Sequence, residues 1–265
     1  MSAPVRVYKL GGPALEDPGL VAPLAAELRA AAARVAVVHG GGRHVERMLR
    51  ALGIESRFVG GRRETSPAAM EVVEMILSGV VNKALAAGLT EAGLPAAGLS
   101  GRDGGLIRAR LLPELGRVGT PETVDVRAIR ALWEADLVPV ISPVAAGPGG
   151  VSVNVNADEA ALGLARALGA RSLVYLSDVP GVRVGERTVE SLDAEEAARL
   201  IADGTIAGGM ALKVQVALEA ARGGIEEVVV AGKERLLAGF PGTRLIGARV
   251  AAAASASAEQ GKGRA

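Results

Sequence analysis

Val35-Ala36-Val37-Val38-His39-Gly40-Gly41-Gly42-Arg43 is the stretch on which the reading of the fold turns. Four apolar residues, three of them valine, predict a short buried strand, because β-branched side chains suit a pleated surface. Three glycines follow, then a helix-competent run from Arg43 to Leu52. Strand, glycine turn and helix in that order present backbone N–H groups to an anion, and glycine lets the backbone approach it closely. An ordinary strand-to-helix turn often carries one glycine or two. Three in succession point to a phosphate or a phosphoryl group in transfer. The spacing belongs to neither common phosphate loop: GxGxxG would need glycine where Val45 stands, and no Gly-Lys-Ser/Thr follows.

The bulk composition narrows the rest. The 265 residues are 49% hydrophobic, enough for one large α/β domain or two lobes. A net charge of +1 with interspersed signs and 2% aromatic residues argue against a nucleic-acid partner. There is no cysteine, which excludes disulfides, iron–sulfur clusters and thiol catalysis. With His39 and His44 as the two histidines, no metal ligands are assigned, and Mg²⁺ is expected only as a passenger on a nucleotide. Neither a leader pattern at residues 1–6 nor an uncharged apolar run of 18 residues occurs, so no membrane partner and a cytoplasmic location are expected. Arginine far outnumbers lysine, and the five lysines are Lys9, Lys83, Lys213, Lys233 and Lys262. Those in glycine-rich surroundings therefore call for a specific explanation.

Along the chain, Val5–Leu10 predicts a first strand with Lys9 near its end, beside Gly11-Gly12. A helix is expected over Leu15–Ala33. Ser56–Thr65 predicts a hairpin turning at Gly60-Gly61, with Arg62 and Arg63 on it. A guanidinium there either grips a carboxylate or is solvated at a hairpin tip. Pro67 opens a helix to about Gly79, continued over Val81–Ala92. Its apolar positions Met70, Val73, Met75, Ile76, Leu77 and Val80 predict deep burial or a subunit interface. A strand at Ala96–Leu99, short strands at Leu106–Leu112 and Gly116–Gly119, a helix capped by Asp125 and a buried strand at Leu137–Ser142 follow. Asn156 is placed to cap a helix to Leu168, with Asp158 and Glu159 in its first turn; capping leaves Asn154 unexplained.

Next come a strand at Leu173–Leu176, a turn at Ser177–Gly181, a hairpin at Arg183–Val189, and a helix Ala194–Ala202 capped by Asp193. Gly208-Gly209 opens a helix to about Arg222 that places Lys213 in its first turn, against the helix dipole unless an anion sits there. Strands at Glu226–Ala231 and Thr243–Ile246 complete the pattern, and residues 251–265 read as a disordered tail. Alternating strands and helices imply a largely parallel sheet covered on both faces, in two halves meeting near residue 180, with ligands at the carboxyl ends of the strands.

The polar set gathered this way is Lys9, glycines 40–42, Arg63, Asn154, Asp158 and Lys213. It stabilises anions and contains no obvious base; His39 reads as filler at a strand end. Phosphoryl transfer to a hydroxyl needs a base, whereas a carboxylate acceptor is already ionised at neutral pH. Positioning and charge stabilisation then suffice.

The ordered motifs KLGG (9–12), VHGGG (38–42), GRRET (61–65), VNK (81–83), GLSGRDGG (98–105), VNVNAD (153–158), LSDVPGV (176–182) and GGMALK (208–213) resemble the amino acid kinase family, and within it the acetylglutamate kinase branch. The resemblance spans roughly residues 5–250. It implies a three-layer αβα sandwich around a mainly parallel open sheet. An N-terminal lobe, residues 1–180, would bind the acyl-amino acid and dimerise, and a C-terminal lobe, residues 181–250, would bind MgATP.

Carried over by position, the resemblance makes Lys9 and Lys213 neutralise the transferring phosphoryl group while Asp158 holds both lysines. Gly41 and Gly42, with Gly11 and Gly12, would donate N–H bonds to the phosphates. Arg63 and Asn154 would bind N-acetyl-L-glutamate, and Ser177, Asp178, Gly181, Gly208 and Gly209 would belong to the nucleotide site. The implied reaction converts ATP and N-acetyl-L-glutamate to ADP and the γ-acyl phosphate, a step of arginine biosynthesis. The family usually has apolar residues where this chain has Arg62 and Glu64, and proline in place of Leu212. Arginine-inhibited members carry a helix before the first strand, so a homodimer without arginine feedback is expected.

Isopentenyl phosphate and carbamate kinases share the glycine loop but have no need of GRRET and NVNAD together. Two other readings stand beside the main one. A kinase of aminoadipate or glutamate attached to an amino-group carrier protein needs a basic docking surface. A non-catalytic amino-acid sensor has no use for lysines at a γ-phosphate.

Overall fold

The computed structural model describes residues 3–11, 15, 17–239 and 241–247. Gly12 and the 251–265 tail lie outside the described residues. The first half of the chain forms β1 (Val5–Leu10), α1 (Val21–Ala30), β2 (Arg34–His39), α2 (Gly42–Ala51), the hairpin β3 (Phe58–Val59) and β4 (Arg62–Arg63), α3 (Pro67–Glu74), α4 (Asn82–Glu91) and β5 (Ala96–Ser100). Then come β6 (Ile107–Leu111), β7 (Val118–Val124), α5 (Arg127–Glu134), β8 (Val138–Ser142), β9 (Val144–Ala146), β10 (Ser152–Val155), α6 (Ala157–Leu168) and β11 (Ser172–Leu176). The hairpin β12 (Arg183–Val184) and β13 (Arg187–Thr188), β14 (Ser191–Asp193), α7 (Ala194–Ala202), α8 (Gly208–Arg222), β15 (Glu227–Ala231), α9 (Lys233–Ala238) and β16 (Thr243–Ile246) complete the fold.

Eight strands form one sheet in the order β14-β16-β15-β11-β1-β2-β8-β5. The run from β15 to β5 is parallel throughout, while β16 lies antiparallel to β15. β11 pairs with β15 over five residues, so the sheet runs unbroken across residue 180. Strand alternation sorts side chains to two faces. Val7, Ala36, Val38 and Ile141 pack with α6 and α8, whereas Tyr8, Leu10, Val37 and Val140 pack with α1 and α4. This is a three-layer αβα sandwich. The parity also aims Lys9, two residues after Val7, toward α6, and His39, two after Val37, toward α4. β6, β7, β9 and β10 close on one another as a small separate unit.

Three boundaries differ from the sequence reading. The first helix begins at Val21, after a 3-10 turn at Pro18–Leu20, rather than at Leu15. Pro23 requires this, since proline is tolerated in a helix's first turn and not in its interior. Asp125 accepts from the Arg127 amide at 3.0 Å from one position before the cap, because α5 starts at Arg127. α3 and α4 are joined by a π-helical stretch, Met75–Val81. Its i→i+5 repeat turns Met75 and Val80 outward, 58% and 56% exposed, while Met70, Val73, Ile76 and Leu77 stay buried against α2. Among the described residues, Pro67–Glu91 is the one helix whose length and mean hydropathy (1.5) would suit a membrane; half of that window is buried.

Candidate active site

At the carboxyl ends of the central strands, one carboxylate holds two ammonium groups. Lys9 Nζ lies 2.9 Å from Asp158 Oδ1, and Lys213 Nζ lies 3.1 and 2.9 Å from Oδ1 and Oδ2. Each of the three side chains is 9% exposed. β1 delivers Lys9. Asn156 caps α6 through bonds from the Asp158 and Glu159 amides to its Oδ1 at 2.8 and 3.4 Å, which fixes Asp158 in the first turn. Lys213 is the sixth residue of α8, a turn further in than the sequence reading placed it. Helical side chains lean toward the N-terminus, so Nζ still reaches back to Asp158. Burial pushes the Asp158 carboxyl up, but the two ammonium groups override it and hold its pKa at about 2. Burial, then the like charge of Lys9, pulls Lys213 down to about 8 against the opposing pull of Asp158. The Lys213 ammonium lies 5.7 Å from the centre of the buried Tyr175 ring.

Beside this triad runs the glycine turn. The Gly40 amide is committed to Leu10 O at 2.8 Å, and the Gly41 carbonyl starts α2 by accepting from Val45 N. The first-turn amides of α2, Gly42 included, have no intrahelical acceptor. Gly41 has φ +144°, and a Cβ there would meet Leu77 Cδ2 at 2.8 Å, so only glycine fits. His39 Nδ1 donates to Gly40 O at 2.7 Å, which fixes the tautomer and leaves Nε2 to accept from Asn82 Nδ2 at 3.1 Å. The two Nδ2 hydrogens of Asn82 are shared among His39 Nε2, Leu99 O and Val140 O, and its Oδ1 accepts from Lys83 Nζ. Burial, with help from Lys83 and Lys9, lowers the His39 pKa to about 4 against its bond to Gly40. The ring is neutral, fully buried and engaged on both nitrogens, as a structural histidine should be. Asn82 and Lys83 are what the VNK motif contributes.

Gly11 departs from its expected use. Its amide donates to Leu176 O at 2.9 Å, so it is bound into the sheet and is no phosphate donor. Its missing side chain instead leaves room for Lys9 Nζ, which a Cβ would meet at 2.6 Å.

The β3–β4 hairpin forms the outer wall. Arg63 is 7% exposed and donates to Glu46 Oε2 at 2.6 Å, to Ser56 Oγ at 3.3 Å and to Gly42 O at 3.2 Å, with its guanidinium 4.5 Å from the Phe58 ring centre. Asn154 Nδ2 donates to the buried Thr65 Oγ1 at 3.1 Å. Glycines 40–42, Arg62, Arg63, Asn154 and Ala157 are among the residues around one cavity of about 160 Å³. That is smaller than the roughly 300–1,000 Å³ of drug-sized pockets and suits a small acid. A larger space, about 660 Å³, opens between Gly60-Gly61 on the hairpin and Gly208, Gly209 and Leu212 on α8.

The remaining sequence candidates are more scattered. Ser177 follows β11, whose partner β1 carries Lys9; it donates to Asp178 Oδ1 at 3.0 Å, and its amide to Ala231 O. Asp178 is exposed. Gly181 is explained by packing, since a Cβ would meet Thr243 Oγ1 at 2.6 Å and Thr188 Cγ2 at 2.7 Å. Gly208 and Gly209 open α8 exposed and without a side-chain cap. Among the described residues no cluster of three or more His, Asp or Glu side chains forms a metal site. Sequence reasoning missed Glu46 and Thr65, and read Glu159 only as a first-turn acid of α6 without its pairing to Arg62. Glu46 and Glu159 each sit one turn or less from a glycine or asparagine helix start, beside residues that were singled out.

The geometry is a buried lysine–aspartate–lysine triad beside a glycine turn, and the chain's likeness to known proteins gives it a family. Residues 4–232 match the amino acid kinase family. The chain is 46% identical to an acetylglutamate kinase of Rubrobacter xylanophilus over 235 residues, 86% of this chain and 89% of the relative. It is 44% identical to one of Bacillus licheniformis over 218 residues, 80% and 84% of the two chains. Its fold resembles that of the smu.665 protein of Streptococcus mutans UA159, at a TM-score of 0.83 and 24% identity over 92% of this chain and 99% of the other. It also resembles a Giardia carbamate kinase, at 0.66 and 18% identity over 93% and 99%. Sheet order, triad and sequence together make this chain a member of the amino acid kinase family.

Proposed function

We propose that this chain acts as an acetylglutamate kinase, transferring the γ-phosphoryl group of ATP to the γ-carboxylate of N-acetyl-L-glutamate in arginine biosynthesis. The observation that carries this is the dry Lys9–Asp158–Lys213 triad beside the glycine turn, with the neighbouring histidine neutral and occupied on both nitrogens. Such a site handles charge and leaves protons alone. A carboxylate oxygen attacks the γ-phosphorus, the bond to the bridging oxygen breaks, and ADP departs with the electron pair. No proton moves, so no base is required.

In this reading Lys9 and Lys213 offset charge on the transferring group, and Asp158 keeps both lysines aimed at it. Gly41 and Gly42 supply amide donors. Arg63 takes the substrate's α-carboxylate, and Asn154 takes the acylated nitrogen. The nucleotide enters from the Gly208-Gly209 side, near Ser177 and Asp178, bringing Mg²⁺ on its phosphates; Gly181 shapes the turn beside it. Residues up to about 180 serve the acid and those from 181 to about 250 the nucleotide, on one shared sheet. A second copy would cover Met75 and Val80, giving a homodimer, and the reaction belongs in the cytoplasm with the other soluble steps of its pathway.

Arg62 bears on the carrier-linked alternative. Its guanidinium is forked on Glu159 and so does not offer a free basic docking point. The test is ADP release from MgATP with N-acetyl-L-glutamate, trapping the acyl phosphate with hydroxylamine, and free glutamate, α-aminoadipate and carbamate in parallel. Turnover confined to N-acetyl-L-glutamate is expected. No turnover with any free acid, from folded protein that binds ATP, would overturn the assignment.

A further inference from the structure

Arg62, on the β3–β4 hairpin, has its partner 97 positions away. Its Nε donates to Glu159 Oε2 at 3.0 Å and its Nη2 to Oε1 at 2.6 Å, a two-bond fork between side chains 24% and 13% exposed. Glu159 follows Asp158 in the first turn of α6, and Arg62 lines the small cavity. Two further contacts seat the hairpin tip at the same place. Asn156 Nδ2 donates to Gly61 O at 3.4 Å, and Gly61 lies so close to Leu212 that a Cβ would meet Leu212 Cδ2 at 2.9 Å. The hairpin's other strand offers little anchorage, with Phe58 and Val59 61% and 45% exposed.

From this geometry we infer that the Arg62–Glu159 pair is a positioning device with two effects on acid binding. It clasps the hairpin down on α6, and it cancels the charge of a carboxylate that lies behind Arg62, one of the residues around the cavity, before a dianionic substrate arrives. A fork between two planar groups fixes orientation as well as distance. The second effect is directional. Removing the arginine leaves a half-buried negative charge beside the acid site, whereas removing the glutamate leaves a positive one. The inference rests on the function proposed above for its substrate, but the clasp itself does not depend on it.

The test compares R62M, E159Q and R62M/E159Q. For N-acetyl-L-glutamate, R62M is expected to raise KM about 10-fold or more, because an unpaired, partly desolvated charge is left behind. E159Q is expected to raise it about 2- to 3-fold, the scale of a lost, partly exposed pair. The double variant should return to the E159Q value, with kcat within about 3-fold in all three because the lysine triad is untouched. Chymotryptic cleavage after Phe58, followed without ligands, should be faster in every variant, since each lacks the clasp. A double variant as impaired as R62M, or worse, would overturn charge cancellation. Cleavage at the parent's rate in all three would overturn the clasp. Absence of turnover by the parent would instead count against the proposed function, and the proteolysis would still decide the clasp.

Discussion

Two carboxylates in this molecule each hold a basic side chain at the same site, in opposite surroundings. Asp158 and its two lysines are 9% exposed, whereas Glu46, which holds the buried Arg63, is 41% exposed. The Arg63 hydrogen bond is the main reason the Glu46 carboxyl lies below the usual range, and the water around it weakens that hold. In the dry triad, separating the charges leaves ions that nothing else solvates, so the arrangement is fixed. In the wet pair, Glu46 can swing into water and yield Arg63 to another carboxylate at little cost. Under the proposed function the contrast would divide the labour: a rigid charge array for the transferring group, and an exchangeable grip for the substrate.

Asp158→Asn strikes the rigid half and should have the largest effect. It leaves two buried ammonium groups facing an amide, with a stability loss of about 3–5 kcal/mol by urea unfolding. Activity should fall with it, since Lys213 would lose its proton more readily. A loss under 1 kcal/mol would mean that the triad is not the dry cluster described. Arg63→Met attacks the exchangeable half. It should raise KM for the acid about 10- to 100-fold, the worth of hydrogen bonds to a charged group, with a smaller change in kcat. Equal losses in kcat and kcat/KM would erase the distinction between the halves.

Acidity separates them further. Lys213 has its pKa lowered to about 8, so kcat/KM, which reports the free enzyme, should fall as pH rises through about 8. The same shift works the other way on stability. The unfolded chain holds that proton more tightly, so this group's contribution rises between about pH 8 and its ordinary 10.5. Asp158 is the converse case. Its folded pKa of about 2 lies below the ordinary 3.8, so its contribution is present above pH 4 and is lost as pH falls toward 2. Activity lost in alkali without loss of stability is the signature to seek by parallel rate and unfolding measurements. Glu46→Gln should have the smallest effect, lowering KM for the acid by less than about 5-fold, because a competitor for Arg63 worth no more than an exposed pair is removed. A rise in KM would show that Glu46 positions Arg63 instead of competing for it.

Much of this was legible in the sequence because it is local. Valine runs and glycine turns marked the parallel strands, Pro67, Asn156 and Asp193 announced their helices, and scarce lysines beside glycines drew attention to Lys9 and Lys213. The fold brings those lysines to Asp158, and leaves His39 as the structural residue it was read to be. What escaped depends on register and on distance along the chain. The Gly11 amide is spent on Leu176 because β1 and β11 pair in one particular register. The π stretch at Met75–Val81, which no residue type marks, was not foreseen, and Met75 and Val80 on it are exposed, leaving the subunit-interface half of that expectation open. Arg62 was left open between gripping a carboxylate and being solvated at a hairpin tip, because Glu159, 97 residues away, had no reason to be paired with it before folding.

The division between a transfer array and a substrate grip is tested most directly on Lys213→Met, by titrating N-acetyl-L-glutamate calorimetrically and measuring turnover on the same sample. Binding of the acid within about 3-fold of the parent, with kcat down about 10²- to 10³-fold, is expected of a group that acts on transition-state charge. Turnover near the parent's value, or loss of acid binding in step with turnover, would contradict it.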